Sequence, residues 1–385
     1  MSARLGIIGA GQLGLYLAQA ADRLGIDIVL WSGTEDAPAL GLAAQYFVGP
    51  LDDLSIFDKF VASCDTVTFE REDIPDETLD RLLQAEQQGD VTVGPGAGIL
   101  MLLKDKGRQK SWLASHQLPT LPFRVFPGGE PAGREIPGDF GDIIVQKACQ
   151  GGFDGRGVQI IKRRDAPAAL WRIPSVIEPF LAGCTEISVL TVRSISGELQ
   201  SYPPVSMEFD TGLNSVSLVA MPASVDSETK NAAVRLAEKT VALLGGVGVF
   251  AIEMFITGDG ELLINEISPR VHNSGHLTLD ACNVSQFEMH VRAVQGLPLV
   301  EISQLSPGAM LNILYTDALR GICPDKPVTD HRPDSGTTVY WYGKMPGSIG
   351  RKMGHINTVA STVSRATELA SDTLAGLASN NPEKV

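Results

Sequence analysis

Short apolar runs alternate with amphipathic segments over the first quarter of the chain. Residues 5–8 and 26–31 are mostly hydrophobic, interrupted only by Gly6 and Asp27, and between them apolar positions recur at helical spacing over residues 12–24. Further apolar runs follow at residues 66–69 and 91–93. Because strands that alternate with helices form parallel sheets, the pattern predicts an α/β, Rossmann-like domain over residues 1–95.

The pattern changes beyond residue 95, where strands are predicted to pair as hairpins. Apolar runs at 143–145 and 158–161 flank a glycine-rich segment, and a strong hairpin is predicted at 249–267 after a helix at 227–244. We therefore expect a mixed α+β domain over 96–300, with a small lobe at about 120–185 that lies over a larger lobe. A small β-rich domain is predicted for 301–385.

Composition narrows the possible functions of this multidomain protein. The chain has 385 residues, a net charge of −14 and five scattered cysteines without a CxxC pair. The negative charge argues against binding to nucleic acid or to anionic membranes, and the cysteines suit a reducing cytoplasm. No apolar run reaches the roughly 18 residues that a membrane span needs.

The segment Gly9-Ala10-Gly11-Gln12-Leu13-Gly14 follows the first strand and begins the first helix. This GxGxxG spacing is found where a dinucleotide phosphate meets a helix N-terminus. The second strand, however, ends in Trp31-Ser32-Gly33 instead of the acidic residue that would hold a ribose. The sequence leaves both NAD binding and a simple tight turn open.

The predicted hairpin at 249–267 brings two acidic residues together. A two-residue turn at Asp259-Gly260 would set Glu253 directly opposite Glu266, on one face of otherwise apolar strands. Because two opposed, partly buried carboxylates repel each other, a divalent cation is the expected partner. Oxygen ligands, with Asn265 nearby, suit Mg²⁺ shared with nucleotide phosphates; an exposed edge with two solvated glutamates is the alternative.

The glycine-rich hairpin QKACQGGFDGRGVQI, at 146–160, could fold over a polyphosphate, with Lys147 as a point cation. The following segment, 176–180, resembles an interdomain strand whose free backbone could contact adenine, and Glu186 could contact ribose hydroxyls. The acidic pair and the glycine hairpin lie about a hundred residues apart, as expected for a lid that closes on a larger lobe.

Two basic segments follow the acidic hairpin. SPRVHNSGH contains Arg270, His272 and His276, for which binding of an anionic substrate is more plausible than zinc because no third ligand is evident. The segment YGKMPGSIGRKMGHIN contains Lys344, Arg351, Lys352 and His355. In so acidic a chain this cluster is a candidate phosphate site, although a solvated basic turn is also possible.

The motifs GGFDGRG, EMF…LLINEISPRVHNSGH and GRKMGHIN, in this order, resemble those of the N5-carboxyaminoimidazole ribonucleotide synthetase family of ATP-grasp enzymes. The resemblance also includes GQLG, TVTFEREDIP and LPTLPF, and so covers nearly the whole chain. It implies a preATP-grasp domain, an ATP-grasp domain and a C-terminal domain, usually in a homodimer. The implied reaction forms carboxyphosphate from ATP and bicarbonate and then carboxylates the exocyclic amine of 5-aminoimidazole ribonucleotide.

The resemblance implies a role for each matching residue. The implied ATP contacts are Lys106, Lys147, Gly152, Phe153, Asp154, Gly155, Arg156, Gly157, Val158, Glu178, Pro179, Phe180, Leu181, Glu186, Asn265 and Glu266. Mg²⁺ would bind Glu253 and Glu266. The residues expected around bicarbonate and the reacting amine are Glu70, Asp154, Arg156, Arg270 and His272. The ribonucleotide would contact Gln12, Asn273, Lys344, Arg351 and Lys352.

Other functions remain open at this point. A related ATP-grasp enzyme that carboxylates or ligates a different amine is the main alternative. The formate-dependent glycinamide ribonucleotide transformylase family is disfavoured by GRKMGH at the C-terminal end. A regulator that only binds nucleotide would not need both metal carboxylates, and a dehydrogenase would bind NAD(H) without hydrolysing ATP.

Overall fold

The computed structural model describes residues 4–129, 136–152, 157–210, 215–319, 321–345 and 349–379. The N-terminal domain is a parallel sheet in the order β3-β2-β1-β4-β5 with helices packed on it, which confirms the predicted α/β domain. Its elements are β1 (Arg4–Ile8), α1 (Gln12–Arg23), β2 (Asp27–Ser32), β3 (Gln45–Val48), α2 (Leu54–Val61), β4 (Thr66–Phe69), α3 (Asp76–Gln88) and β5 (Thr92–Val93).

The central strand of this sheet, β1, lies in the hydrophobic core. Leu5 and Ile7 on β1 have no exposed surface, and they pack against the apolar face of α1. The opposite face of the sheet packs on α2 and α3 through Phe57, Phe60 and Leu79. Such two-sided burial explains why the strands read as mostly apolar runs in the sequence.

Two helices, α4 (Ala97–Leu103) and α5 (Lys106–Ser115), lead into a small antiparallel lobe. Its elements are β6 (Arg124–Pro127), β7 (Ile143–Ala148), β8 (Val158–Lys162), α6 (Ala166–Ala169) and β9 (Pro174–Pro179). Strands β7 and β8 pair as the predicted hairpin, with Lys147 opposite Val158 at the end next to the glycine-rich loop. The strand order is β6-β9-β7-β8.

One prediction for this lobe is wrong in part. The backbone of residues 176–180 was expected to be free, but β9 is an inner strand that pairs with β6 through Ile177 and with β7 through Pro179. The amide of Phe180 also donates to Ile143 O at 3.1 Å. The apolar character of the segment reflects this central position in the sheet. Pairing with β6 ends at Ile177, so a free backbone edge remains a prediction only for residues 178–180.

A large, mostly antiparallel sheet forms the rest of the molecule, in the order β15-β14-β10-β12-β13-β16-β19-β18-β17. Its strands are β10 (Thr185–Arg193), β11 (Leu199–Ser201), which pairs with β10, β12 (Val205–Asp210), β13 (Ser215–Met221), β14 (Gly248–Ile256), β15 (Leu262–Ser268), β16 (Gly308–Leu314), β17 (Pro327–Arg332), β18 (Thr337–Tyr342) and β19 (Lys352–Val359). The helices are α7 (Ser227–Leu244), α8 (Thr278–Ala281), α9 (Gln286–Val294) and α10 (Val363–Ser379).

This sheet crosses the boundary expected near residue 300. Strand β13 pairs with β16 from Leu218 opposite Leu311 to Met221 opposite Gly308. The last segment of the chain therefore continues a sheet that begins in the preceding domain. In the described residues no helix is long and apolar enough to cross a membrane.

The β14–β15 hairpin has the predicted partners but a different turn. Glu253 lies opposite Glu266, as expected. The loop is longer than the predicted two-residue turn, because Thr257 N donates to Glu261 O and Gly260, at φ +87°, closes it. Asn265 is an extra, bulged residue between the pairs Glu253–Glu266 and Met254–Ile264, and it restores the register that the longer loop shifts.

Candidate active site

The glycine turn before α1 is filled by a side chain of the same domain. Glu70, just after β4, accepts hydrogen bonds from Gly11 N at 2.5 Å and Gly14 N at 2.9 Å. A Cβ at Gly9, where φ is +104°, would lie 2.4 Å from Glu70 Cγ. The carboxylate thus occupies the position at the helix N-terminus where a phosphate would bind, and the glycines are needed for its close approach. This geometry favours a tight turn over a dinucleotide site.

The carboxylate pair lies at the centre of the candidate site. Gln109 on α5 fixes the strand that bears Glu266, since its side chain accepts from Ile267 N at 2.9 Å and donates to Ile267 O at 3.0 Å. The Lys106 ammonium forms an ion pair with Glu266. His272 Nε2 lies 3.4 Å from Glu253 Oε1.

The two carboxyl groups differ in their charge environment. Burial and the neighbouring Glu266 carboxylate raise the pKa of Glu253. Burial also acts to raise the pKa of Glu266, but Lys106 outweighs it and the pKa falls. A cation bound between Glu253 and Glu266 would relieve the repulsion between the two carboxylates.

A second cluster of charges lies beside the pair. Lys147 Nζ is 2.7 Å from Glu178 Oε2 and donates to Asn265 Oδ1 at 2.7 Å. Lys110 Nζ is 2.5 Å from the other Glu178 oxygen, Oε1. At these distances the contacts with Glu178 are ion pairs, although their angles are not those of hydrogen bonds.

The ionisation of this cluster follows from burial and neighbouring charge. Burial acts to raise the pKa of Glu178, but Lys147 and Lys110 outweigh it and lower the pKa to about 2. Burial lowers the pKa of Lys110 to about 8, because the attraction of one carboxylate is opposed by the nearby Lys147 ammonium. The carboxylate therefore stays ionised at neutral pH.

The two clusters enclose a common cavity below the small lobe. The residues that line it are Lys106, Gln109, Lys110, Lys147, Val176, Asn265 and Glu266. Glu186 on β10 lies close enough for its charge to act on Glu253, and burial, opposed by Lys147, raises the pKa of Glu186. Three ammonium groups and the Glu266 carboxylate line this cavity, a charge pattern that suits the phosphates of a metal-bound nucleotide.

Arg270, His272 and Asn273 lie in the segment that follows β15. Arg270 Nε lies 3.2 Å from Glu72 Oε1, and His272 Nδ1 lies 2.9 Å from Ser274 Oγ. The Asn273 side chain exchanges two 3.0 Å hydrogen bonds with Asn312 of β16. Asn273 is therefore held by the last part of the chain.

His276 is not arranged as a metal ligand. Its ring is buried and stacks on His355 with a centroid separation of 4.4 Å. Burial lowers the pKa of both histidines, which favours their neutral forms. In the part of the chain that the structure describes, no group of three or more His, Cys, Asp or Glu side chains is placed to hold a metal.

The basic residues near the C-terminus are only partly brought together. Lys344 Nζ donates to Gln12 Oε1, which joins the last domain to the glycine turn of the first. Arg351 Nη1 donates to Met345 O at 2.8 Å, and Lys352 is buried on β19. Gln12 and Lys344, 332 positions apart, thus meet at one place on the surface.

The glycine hairpin is described only at its two bases. Four of the predicted ATP contacts lie outside the described residues: Phe153, Asp154, Gly155 and Arg156. At the bases, Gly157 has φ +88°, and a Cβ there would lie 2.9 Å from Gly152 Cα, so position 157 needs glycine. Val158 begins β8, and Pro179, Phe180 and Leu181 follow Glu178 at the end of β9, where Phe180 is 39% exposed.

The sequence alone did not identify Lys110, Thr120 and Glu72 as residues of the candidate site. Lys110 lies four positions after Lys106 on α5, and this spacing places both side chains on one face of a helix. That spacing was the available signal for Lys110. Glu72 and Thr120 lie in irregular segments without any such signal.

Comparisons with known proteins give the class of this molecule. An ATP-grasp domain profile matches residues 111–287, and a ribonucleotide synthetase preATP-grasp domain profile matches residues 2–103. A phosphoribosylaminoimidazole carboxylase C-terminal domain profile matches residues 308–369. The chain is therefore an ATP-grasp protein with its characteristic preceding domain, as the fold and the carboxylate pair indicate.

Individual relatives give the family. The N5-carboxyaminoimidazole ribonucleotide synthase of Bacillus subtilis is 33% identical over 91% of this chain and 90% of its own length. A crystal structure of an ADP complex of N5-carboxyaminoimidazole ribonucleotide synthetase has a TM-score of 0.86 at 31% identity, covering 97% of this chain and 96% of that one. The Aspergillus clavatus enzyme, solved with ADP and 5-aminoimidazole ribonucleotide, has a TM-score of 0.84 at 27% identity, covering 99% of each chain. The chain belongs to the N5-carboxyaminoimidazole ribonucleotide synthase family.

Proposed function

We propose that this protein uses ATP and bicarbonate to carboxylate the exocyclic amine of 5-aminoimidazole ribonucleotide in purine biosynthesis. The observation that carries the proposal is the pair Glu253 and Glu266, held in register, with Lys106 and Lys147 lining the same cavity as Glu266. Two opposed carboxylates beside two ammonium groups suit a divalent cation that is shared with a polyphosphate. The comparisons give no support to an enzyme that acts on a different amine.

The reaction has two chemical steps. A bicarbonate oxygen attacks the γ-phosphorus of ATP, ADP leaves, and carboxyphosphate forms. The amine then attacks the carboxyl carbon, inorganic phosphate leaves, and the amine loses a proton. Both steps move negative charge, so the residues of the site serve chiefly to place charged groups and to exclude water.

The described residues divide this work in the proposal. Lys106 and Lys147 bind the polyphosphate, and Arg270 and His272 bind bicarbonate between the ATP and the amine. Glu186, Asn265 and the end of β9 bind the nucleoside of ATP and orient Lys147. Gln12, Lys344, Arg351 and Lys352 bind the ribonucleotide, and Glu70 lies at the turn beside it.

The donor set fits Mg²⁺. Two carboxylates without nitrogen or sulfur ligands suit a hard cation that completes its coordination with phosphate oxygens and water. Burial and the Glu266 carboxylate raise the pKa of Glu253, and a bound cation would offset both effects. When bound, Mg²⁺ would neutralise charge on the phosphates, and Glu253 and Glu266 would hold it.

Phosphate release tests the proposed function directly. ATP and bicarbonate are supplied with and without 5-aminoimidazole ribonucleotide, and the carboxylated product is trapped with labelled bicarbonate. We expect phosphate release to rise strongly with the ribonucleotide and to match product one to one. Phosphate release that does not depend on the ribonucleotide would refute the assignment of 5-aminoimidazole ribonucleotide as the acceptor. The absence of any ATP turnover would refute the proposed class of reaction.

We also propose that the protein works as a homodimer in the cytoplasm, on its family resemblance and its reduced cysteines. The five cysteines are all unpaired. Light scattering at working concentration should give twice the mass of 41.0 kDa. A mass of one chain would refute the dimer.

A further inference from the structure

Lys110 is a buried lysine that lines the cavity, and the functional motifs do not include it. Its side chain is 3% exposed, and its ammonium lies 2.5 Å from Glu178 Oε1. It also donates to Thr120 Oγ1 at 2.7 Å, and Thr120 donates in turn to Ile264 O at 2.7 Å. Lys110 is thus fixed from two sides and tied to the strand that bears Glu266.

Glu178 is shared between two lysines. Its side chain is 1% exposed, and its second oxygen lies 2.7 Å from Lys147 Nζ. A buried carboxylate needs a positive partner, but one ammonium group is enough to neutralise it. The cluster therefore has one cation more than Glu178 requires.

Lys147 is the lysine that can leave this cluster. It is 12% exposed, whereas Lys110 is 3% exposed. Its ammonium also donates a hydrogen bond to Asn265, which lies next to Glu266 on the hairpin. A small rotation of the Lys147 side chain would turn its ammonium from Glu178 towards the cavity, while Lys110 stays in place.

We propose that Lys110 is a positioning residue for ATP, which keeps Glu178 neutralised so that Lys147 can turn to the polyphosphate. The inference rests on the proposed function, because it concerns the same ATP site. Without Lys110, the buried Glu178 carboxylate has only Lys147 as its partner. ATP must then break that ion pair to recruit Lys147, so ATP binding weakens while the chemical groups remain in place.

The test is a pair of substitutions in two backgrounds. Lys110→Met keeps the length of the side chain and removes its charge. We expect the KM for ATP to rise about tenfold, with kcat changed less than about threefold, because only the recruitment of Lys147 is affected. In a Glu178→Gln background no buried carboxylate competes for Lys147, so Lys110→Met should change the KM by less than about twofold.

Two further variants separate this role from simple stability. Lys104 forms a lysine–carboxylate pair with Asp76, 2.7 Å away, outside the cavity, and Lys104→Met should leave both constants unchanged. Thr120→Val keeps every charge but removes the hydrogen bond that fixes Lys110. It should raise the KM for ATP by a smaller factor, about threefold, without altering kcat.

The outcomes are distinct. An unchanged KM in Lys110→Met refutes the inference, and an equal rise in both backgrounds shows that Lys110 acts on ATP directly. If Lys110→Met does not fold, the inference is tested by the double variant Lys110→Met/Glu178→Gln and by Thr120→Val. Neither of these variants leaves the Glu178 carboxylate without Lys110 as its partner. If the parent protein turns over no ATP, the proposed function fails. Calorimetric titration with Mg·ADP can then still compare the nucleotide affinities of the variants. An affinity in Lys110→Met equal to that of the parent would refute the inference about Lys110 independently of the proposed function.

Discussion

The chemistry of the site depends on a few residues whose charges are not independent. Glu253 and Glu266 face each other, and each has a different cationic or imidazole neighbour. Lys106 and Lys147 are both held by carboxylates of the protein. The site is therefore a balanced set of charges, in which ligand binding exchanges one partner for another.

Glu253→Gln and Glu266→Gln should each lose at least about a hundredfold in ATP turnover, because several kcal/mol of charge stabilisation depends on the pair. The fold should be kept, since Gln preserves the shape and removes a repulsion. Phosphate release and thermal unfolding would be measured together. Near-normal turnover in both variants would show that the metal assignment is wrong.

The ion pairs of Glu178 predict a specific dependence of stability on pH. The pKa of this carboxyl is about 2 in the fold against an ordinary value of 4.5. Its lowered pKa contributes stability, about 3 kcal/mol, that is complete above pH 4.5 and is lost as the pH falls towards 2. Glu178→Gln should therefore unfold at a lower temperature than the parent at neutral pH, by a margin that narrows below about pH 4.5.

Unfolding midpoints of the parent and the variant, measured from neutral pH down to about pH 3, give the comparison. Glu208→Gln, an exposed position on β12, serves as the control and should show no such narrowing. A difference in unfolding midpoint between the parent and Glu178→Gln that stays constant over the acid range would show that the ion pairs of Glu178 do not stabilise the fold as described.

At the scale of elements, the turn before α1 shows how a familiar motif can have another cause. The glycines of GQLG leave room for the Glu70 carboxylate, which accepts from two amides at the start of the helix. The motif alone could not distinguish an external phosphate from an internal carboxylate. The distinction required the distant β4 strand, whose end brings Glu70 to the turn.

Glu70→Ala should lower the free energy of unfolding by about 1 to 2 kcal/mol, because two helix-terminal amides lose a charged acceptor. Denaturant titration would measure the change. Glu77→Ala, an exposed acidic position in the first turn of α3, is the matched control and should cost less than about 0.5 kcal/mol. Equal losses in the two variants would show that Glu70 is not a stabilising cap.

The acidic hairpin shows how far the sequence could predict an element. Alternation of side chains predicted correctly that Glu253 and Glu266 face each other. The predicted two-residue turn was wrong, yet the pairing survived because the longer loop and the bulge at Asn265 shift the register in opposite directions. Bulges depend on tertiary contacts, here the hydrogen bond between Asn265 and Lys147, and local patterns do not reveal them.

Long-range contacts account for most of what the sequence did not reveal. Helical spacing could have placed Lys110 beside Lys106, but only the packing of α5 against β9 brings it to Glu178. The inner position of β9 was missed for the same reason, since an apolar run does not show which strands flank it. Motifs and periodicity predict types of element, while partners are decided by the fold.

At the scale of the whole molecule, the site is assembled from separate parts of the chain. Gln12 comes from the first domain, Arg270 from the hairpin region, and Lys344 and Arg351 from the last segment. The contact between Lys344 and Gln12 joins the two ends of this arrangement. If these residues bind the ribonucleotide as proposed, its binding depends on the relative placement of all three parts.

Arg351→Ala should raise the KM for the ribonucleotide about ten- to a hundredfold, because a charged contact to phosphate is worth roughly 1.5 to 3 kcal/mol. The KM for ATP should barely change, and the effect should shrink as salt rises. Arg332→Ala removes a surface arginine that pairs with Asp330 in the same segment, and it should change neither constant. A rise in the KM for ATP alone would refute the phosphate assignment.

The continuous ladder between β13 and β16 has a consequence for biosynthesis. The outer edge of β13 cannot acquire its partner until residues beyond 308 have left the ribosome, although every other strand of its lobe has already been made. An open apolar edge of this kind recruits other chains. Chains that terminate early, near residue 300, should therefore accumulate as aggregates, and the nascent protein should depend on chaperones until its last hundred residues emerge.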